Sequence, residues 1–378
     1  MLRPPGTARR GGLTLTQTPE QRTYYRPGEA FRELLRERAR GPASVGPLAP
    51  EVCERAMCEI LSGGATPAQA AGFLLVGRAA GDSPEELAAY TRALRGFVRE
   101  LPADRPTVSV AGGFDGKLRT ANIGAAASMV AAAAGARVVM VGGEGISPKE
   151  GRTGFDALKN LGIPAPQTLA EAAGSLGRHG LAATSPEHYL PALHALTPLR
   201  WEMTRRTVLN VVEKLVSPVT GASLMVGVTH ASSIKGVPEA LLELGTPPAL
   251  VYQAVEGSDE AALDGSSALV LLRDGELEPF RVEPESLGLG RATRSELPPP
   301  QEKEEACVLE AVLAGEPGPV ADLIIYNAAL RLWMSEGAIG ELRDLVERAR
   351  EAVRSGRAAE HLQGLRAAGQ GVSDAPAD

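Results

Sequence analysis

Between Val108 and Gly151 the chain reads VSVAGGFDGKLRTANIGAAASMVAAAAGARVVMVGGEGISPKEG, and few folds accommodate such a stretch. An apolar run from Thr107 to Ala111 enters a loop holding Gly112, Gly113, Asp115 and Gly116. An alanine-rich segment from about Asn122 to Ala134 reads as a helix, and Gly135 stops it. A second apolar run, Arg137 to Val141, enters another glycine loop, Gly142 to Gly145. This order of strand, loop, helix, strand and loop predicts parallel strands. Backbone N–H groups and a helix N-terminus then lie at one end of the sheet, which suits a phosphorylated ligand. The loop is not a Walker A motif, because no Gly-Lys-Ser/Thr follows, and it lacks the Gly-x-Gly-x-x-Gly spacing.

At 378 residues the chain has room for one large or two modest domains. No run is long and apolar enough to span a membrane, and no signal-peptide core follows Arg3, Arg9 and Arg10. Cys53, Cys58 and Cys307 have no metal-ligand spacing and suit a reducing compartment, so the expected location is cytoplasmic. The net charge is −7, yet residues 1 to 40 hold nine Arg against four Glu. That basic arm suits an anionic partner, or is a solvated extension. The five histidines are scattered, and no Ser-His-Asp or Cys-His arrangement is visible.

Residues 1 to 42 are read as a basic arm, with a charged helix from Glu29 to Arg40. Residues 43 to 103 are read as a helical domain. Pro50 to Leu61 has helical spacing. Thr66-Pro67 with Gln69, and Ser83-Pro84 with Glu86, are capping boxes that start two further helices. Residues 104 to 370 are expected to form an α/β domain, with helices inside 185 to 216 joining the helical unit. Residues 163 to 184 read as loop and short helix. Apolar runs at 224 to 228, 249 to 252 and 268 to 272 read as buried strands, with a helix near Pro238 to Leu244 between the first two. Residues 371 to 378 read as a disordered tail.

Five segments in order resemble the anthranilate phosphoribosyltransferase family, and more broadly the nucleoside phosphorylase-like phosphoribosyltransferases. They are the helices from Leu48 to Phe97, TANIGAAASMVAAAAG, RRTVLNVVEKLVSPVTGA (similar to RTxxNxxGPLxNPxxA), EGSDEAAL (similar to G-x-DE), and GEPGPVADLIIYNAALRLW. The resemblance implies a small helical domain plus a large α/β domain with a mostly parallel sheet. It also implies a homodimer, and phosphoribosyl transfer from phosphoribosyl pyrophosphate with Mg²⁺ to an aromatic or nitrogenous acceptor. It makes Asp259 and Glu260 metal ligands. It makes Gly112, Gly113, Asp115, Gly116, Thr120, Asn122, Gly142, Ser147 and Lys149 substrate-binding residues, and sets Arg200 against an acceptor carboxylate.

The chain departs from that pattern. Gly124-Ala125 stand where the family has Ser-Thr, and Met140-Val141-Gly142-Gly143-Glu144 replace Lys-His-Gly-Asn-Arg. Lys117 and Arg119 are additional cations in the first loop, expected to contact an anion. The pattern resembles a divergent branch of the family that keeps the fold, often lacks the activity and in some cases binds nucleic acid. Two functions follow: a phosphoribosyltransferase with an altered acceptor, or a non-catalytic dimer that binds single-stranded nucleic acid.

Overall fold

The computed structural model describes residues 28–41, 46–230, 232–265, 267–297 and 301–372. Four helices come first: α1 (Glu29–Arg38), α2 (Pro50–Leu61), α3 (Pro67–Ala80) and α4 (Pro84–Arg95). Both expected capping boxes form. Thr66 and Ser83 accept from the N–H groups of Gln69 and Glu86, whose side chains accept from the cap N–H groups in return. Orphan donors of the first turn are thereby satisfied, and proline at the first helical position costs no bond.

Helix α1 docks instead of extending as an arm. Phe31 and Leu34 are buried, and the Phe31 ring meets Phe73 edge-on at 5.6 Å. Arg38 enters the interior and donates to Glu86 at 2.8 Å. Residues 29 to 38, read from the sequence as part of the arm, thus pack on the helices that follow. Residues 1–27 of the basic arm, and 373–378 of the tail, lie outside the described residues; 371–372 continue the last helix.

Asp82 sits beside this pair. Burial, with repulsion from Glu86, pushes its carboxyl up to about 6, against the pull of Arg38. A raised carboxyl favours the protonated form in the folded state. Its contribution to stability is full below pH 3.8 and is lost as pH rises through about 6. Asp82→Asn is expected to remove that loss, on the order of 2–3 kcal/mol at pH 7. Urea unfolding at pH 4.5 and 7 checks this; an unchanged pH dependence in the variant would contradict it.

The second domain continues with β1 (Val108–Ala111), α5 (Gly124–Ala133), β2 (Val138–Val141), α6 (Gly154–Asn160), α7 (Leu169–His179) and β3 (Leu181–Thr184). Four short helices follow: α8 (Pro186–Tyr189), α9 (Pro191–His194), α10 (Thr197–Met203) and α11 (Leu209–Val212). Then come β4 (Ser223–Val228), α12 (Ser233–Glu243), β5 (Ala249–Gln253), β6 (Ala268–Arg273) and β7 (Glu276–Arg281). The C-terminal layer is α13 (Glu302–Leu313), α14 (Pro319–Ser335), α15 (Leu342–Arg354) and α16 (Arg357–Val372).

The sheet order is β3-β2-β1-β4-β5-β6-β7. The first five strands run parallel, with Val110 opposite Met140 and Met225, and the β6–β7 hairpin closes one edge antiparallel. Alternation along the strands serves two cores. Val108, Val110, Val138 and Met140 pack with α5 and α14. Val139, Val141, Leu224 and Val226 join a cluster shared by α2, α3, α4 and α8 to α11. Among the described residues no helix is long and apolar enough to cross a membrane.

Two expectations fail locally. Residues 163 to 184 contain α7 and β3, not loop and short helix. The strand reads only LAAT, and its visible marker is Gly180 in the left-handed cap at φ 68°. Helix α12 starts at Ser233 and carries Pro238 in its interior, although Pro238 was expected to begin it.

Candidate functional site

The two glycine loops cross directly over each other. Gly116 has φ 73°, and a Cβ there would lie 2.2 Å from the Gly151 carbonyl oxygen. Lys117 N–H donates to Arg152 O at 2.7 Å, and Arg152 N–H returns to Lys117 O at 2.9 Å. Only glycine allows both the dihedral and the approach. The crossing turns Lys117 inward.

Lys117 is buried, and its ammonium lies 2.5 Å from Glu260 Oε2 and 2.5 Å from Ala121 O. Glu260 is fully buried on the loop after β5. Burial pushes its carboxyl above the ordinary range against the pull of Lys117. Its second oxygen accepts from Gly124 N–H at 3.1 Å, at the start of α5. Asp259 is held by Arg331 from α14, at 2.6 Å to Oδ2 and 3.2 Å to its carbonyl oxygen. Arg331 is fully buried and also donates to Ser128 Oγ and Asn327 O.

The acidic pair expected to hold Mg²⁺ therefore carries two internal cations. A divalent ion about 4 Å from either would meet roughly 8 kcal/mol of repulsion, taking ~4 kcal/mol per unit pair at an effective dielectric of 20. Asp259 and Glu260 as arranged do not fit Mg²⁺. Gly124 is part of the reason. A Cβ there would sit 2.4 Å from Asp259 Oδ2, so the serine of the family pattern has no room while Asp259 faces α5.

Carboxylates also take the loop's backbone donors. Glu256 accepts from Leu118 N–H at 3.2 Å, Arg119 N–H at 3.1 Å and Thr120 Oγ1 at 2.9 Å. Burial raises the Glu256 carboxyl, but these bonds outweigh it and hold the group below its usual range. Glu305 from α13 accepts from both the N–H and the side-chain amide of Asn122. The slot between the glycine loops, lined by Gly112, Gly113, Gly142, Phe155 and Asp259, measures only about 20 Å³. Phe155 stands close against Gly142, where an added Cβ would lie 3.1 Å from its ring.

Open space lies on either side of Phe114. One cavity of about 140 Å³ is lined by Arg78, Asp115, Arg206, Asn210, Lys214 and His230 among others. Arg206 pairs with Asp115 at 2.5 Å, and Lys149 stands 3.5 Å from the same carboxylate. Lys214 donates to Gly227 O and Gly257 O; burial lowers its ammonium to about 8, against the pull of Glu213 and Asp115. The other cavity, about 360 Å³, is lined by Phe114, Phe155, His188, His194, Arg200 and Trp201 among others. Arg200 is not available there. Two hydrogen bonds, 2.6 and 2.9 Å, tie it to buried Glu213.

The structure thus brings Asp115 to a cavity, with Lys149 behind it on the same carboxylate, and withdraws others. Lys117, Asp259 and Glu260 pair internally. Arg200 is spent on Glu213. Thr120 and Asn122 bind carboxylates of the chain itself. Ser147 is buried, and Arg119 is exposed beside Glu256. Arg206, Lys214, Glu213, Glu256, Glu305 and Arg331 were not singled out from the sequence. The signal for one pair was present, since Glu213-Lys214 stand where the RTxxNxxGPL pattern has Gly-Pro.

A helical unit on a mostly parallel sheet, with a cleft at the strand C-termini, defines a two-domain glycosyltransferase architecture. The a/b domain of the glycosyl transferase family matches residues 108–359, and its helical bundle domain matches 32–98. The chain belongs to this family, with the anthranilate phosphoribosyltransferases as its relatives. The enzyme of that name from Symbiobacterium thermophilum is 32% identical over 342 residues, covering 89% of this chain and 97% of that protein. The one from Exiguobacterium sibiricum is 31% identical over 317 residues, covering 83% and 92%. The crystal structure of anthranilate phosphoribosyltransferase from Thermus thermophilus superposes with a TM-score of 0.76 at 29% identity, over 89% of this chain and 99% of that one. The Saccharomyces cerevisiae enzyme in complex with PRPP and Mg shares the fold at TM-score 0.75 and 18% identity, over 91% and 99%.

Proposed function

We propose that this chain is a phosphoribosyltransferase-type protein that takes a phosphorylated ribosyl donor without a metal and an aromatic nitrogen acceptor without a carboxylate. One observation carries this reading: Phe114, on the first glycine loop, lines both a polar cavity, where Arg78, Arg206 and Lys214 stand beside Asp115, Glu213 and Glu256, and an aromatic one. Two chemically different pockets meeting at one residue suit two substrates that must react with each other. Arg78, Lys214 and Arg206, the last released from Asp115 when an anion binds, supply positive charge for the donor's phosphates. On the acceptor side the guanidinium of Arg200 is neutralised by Glu213, and Glu144 and Glu187 stand on the rim. A carboxylate would meet acids there, whereas a neutral heterocycle stacks on Trp201 and Phe155.

Calorimetric titration with phosphoribosyl pyrophosphate tests the donor. Binding is expected in EDTA, and Arg206→Ala is expected to weaken it at least tenfold. Affinity is also expected to fall as pH rises past about 8, where Lys214 loses its proton and its attraction for an anion. No heat with or without Mg²⁺ would sink the donor assignment. The homodimer is retained as part of this reading, and light scattering measures it. The nucleic-acid alternative draws no support from the described residues, since Lys117 is buried and Arg119 faces Glu256.

A further inference from the structure

We infer that Lys117 and Arg331 are a built-in replacement for the divalent cation, so that the acidic pair of the fold is a closed lock between loops rather than a metal site. Three observations converge. Lys117 Nζ sits between a carboxylate oxygen and a backbone carbonyl oxygen, both at 2.5 Å, a donor set a small cation would take. Arg331 grips both the side chain and the carbonyl of Asp259. Two negative charges thus meet two positive ones, and no net attraction remains for an ion from solution. Finally, Glu256, Glu260 and Glu305 occupy the N–H groups of Leu118, Arg119, Gly124 and Asn122, so anionic as well as cationic positions are filled from within.

The parts come from distant places: the first glycine loop, the loop after β5, α13 and α14. Their joint effect is to fasten the start of α5 to the C-terminal layer. The lock needs no ligand, so it goes beyond the donor reading, and it is testable with the metal alone. It also fixes the geometry behind Asp115, whose carboxylate is left to Arg206 and Lys149.

The test is Mn²⁺ titration of the full chain followed by electron paramagnetic resonance, with wild type, Asp259→Asn and Lys117→Ser. Wild type is expected to leave Mn²⁺ free up to millimolar concentration. Any weak surface binding is expected to be identical in Asp259→Asn. Lys117→Ser, where it folds, is expected to gain a site at least tenfold tighter than wild type, because the carboxylate of Glu260 is released. Wild-type binding that disappears in Asp259→Asn would overturn the inference, as would a folded Lys117→Ser that gains nothing. Should Lys117→Ser fail to fold, the comparison of wild type with Asp259→Asn decides alone. Failure here is separable from failure of the donor reading: Mn²⁺ bound at Asp259 contradicts the lock, whereas absent donor binding with a metal-free pair contradicts only the function.

Discussion

Lys117→Met is expected to destabilise the protein by about 3–5 kcal/mol, because it leaves the fully buried Glu260 without its counter-charge. Methionine matches the stem of lysine in length, so little of the effect comes from lost volume. What remains is a carboxylate with one bond, from Gly124 N–H, and the desolvation of a charge. Equilibrium urea unfolding gives the number. Adding Glu260→Gln is expected to recover much of it, since the amide oxygen still accepts from Gly124 N–H and carries no charge. A single mutant within 1 kcal/mol of wild type would mean that the pair is not closed.

Gly116→Ala is expected to be as severe, at roughly 3–5 kcal/mol. The left-handed dihedral costs a non-glycine residue about 1 kcal/mol or more. The added Cβ also meets a backbone carbonyl, Gly151 O at 2.2 Å, which cannot rotate away as a side chain would. Separating the loops would break the Lys117–Arg152 backbone pairing and draw Lys117 out of its place. The expected signature is loss of stability together with new Mn²⁺ binding. A stable Gly116→Ala variant with unchanged unfolding would contradict the close crossing.

Much of the fold was legible because its signals are local. Thr66 with Gln69 and Ser83 with Glu86 announce helix starts within four residues. The runs at Val108 and Val138 announce buried strands, and the hairpin of β6 and β7 turns on Asp274 and Gly275, both at positive φ. Strand β3 was not legible, since LAAT has only one β-branched residue and gains its burial from β2. The site divided along the same line. Glycine loops and the acidic pair stand out in sequence, and so did the loss of Ser-Thr at Gly124-Ala125. Their consequence did not, because the partners lie far along the chain: Glu260 is 143 residues from Lys117, and Arg331 is 72 from Asp259. No spacing rule links such pairs. Only the crossing of the loops and the docking of α14 bring them together.

Asp259 and Glu260 face cations of the chain itself. A crystal structure grown in millimolar Mg²⁺ tests this most directly. Lys117 Nζ is expected on Glu260 and the Arg331 guanidinium on Asp259, with no ion between the carboxylates. A Mg²⁺ ion bound by both carboxylates, with Lys117 swung away, would contradict it.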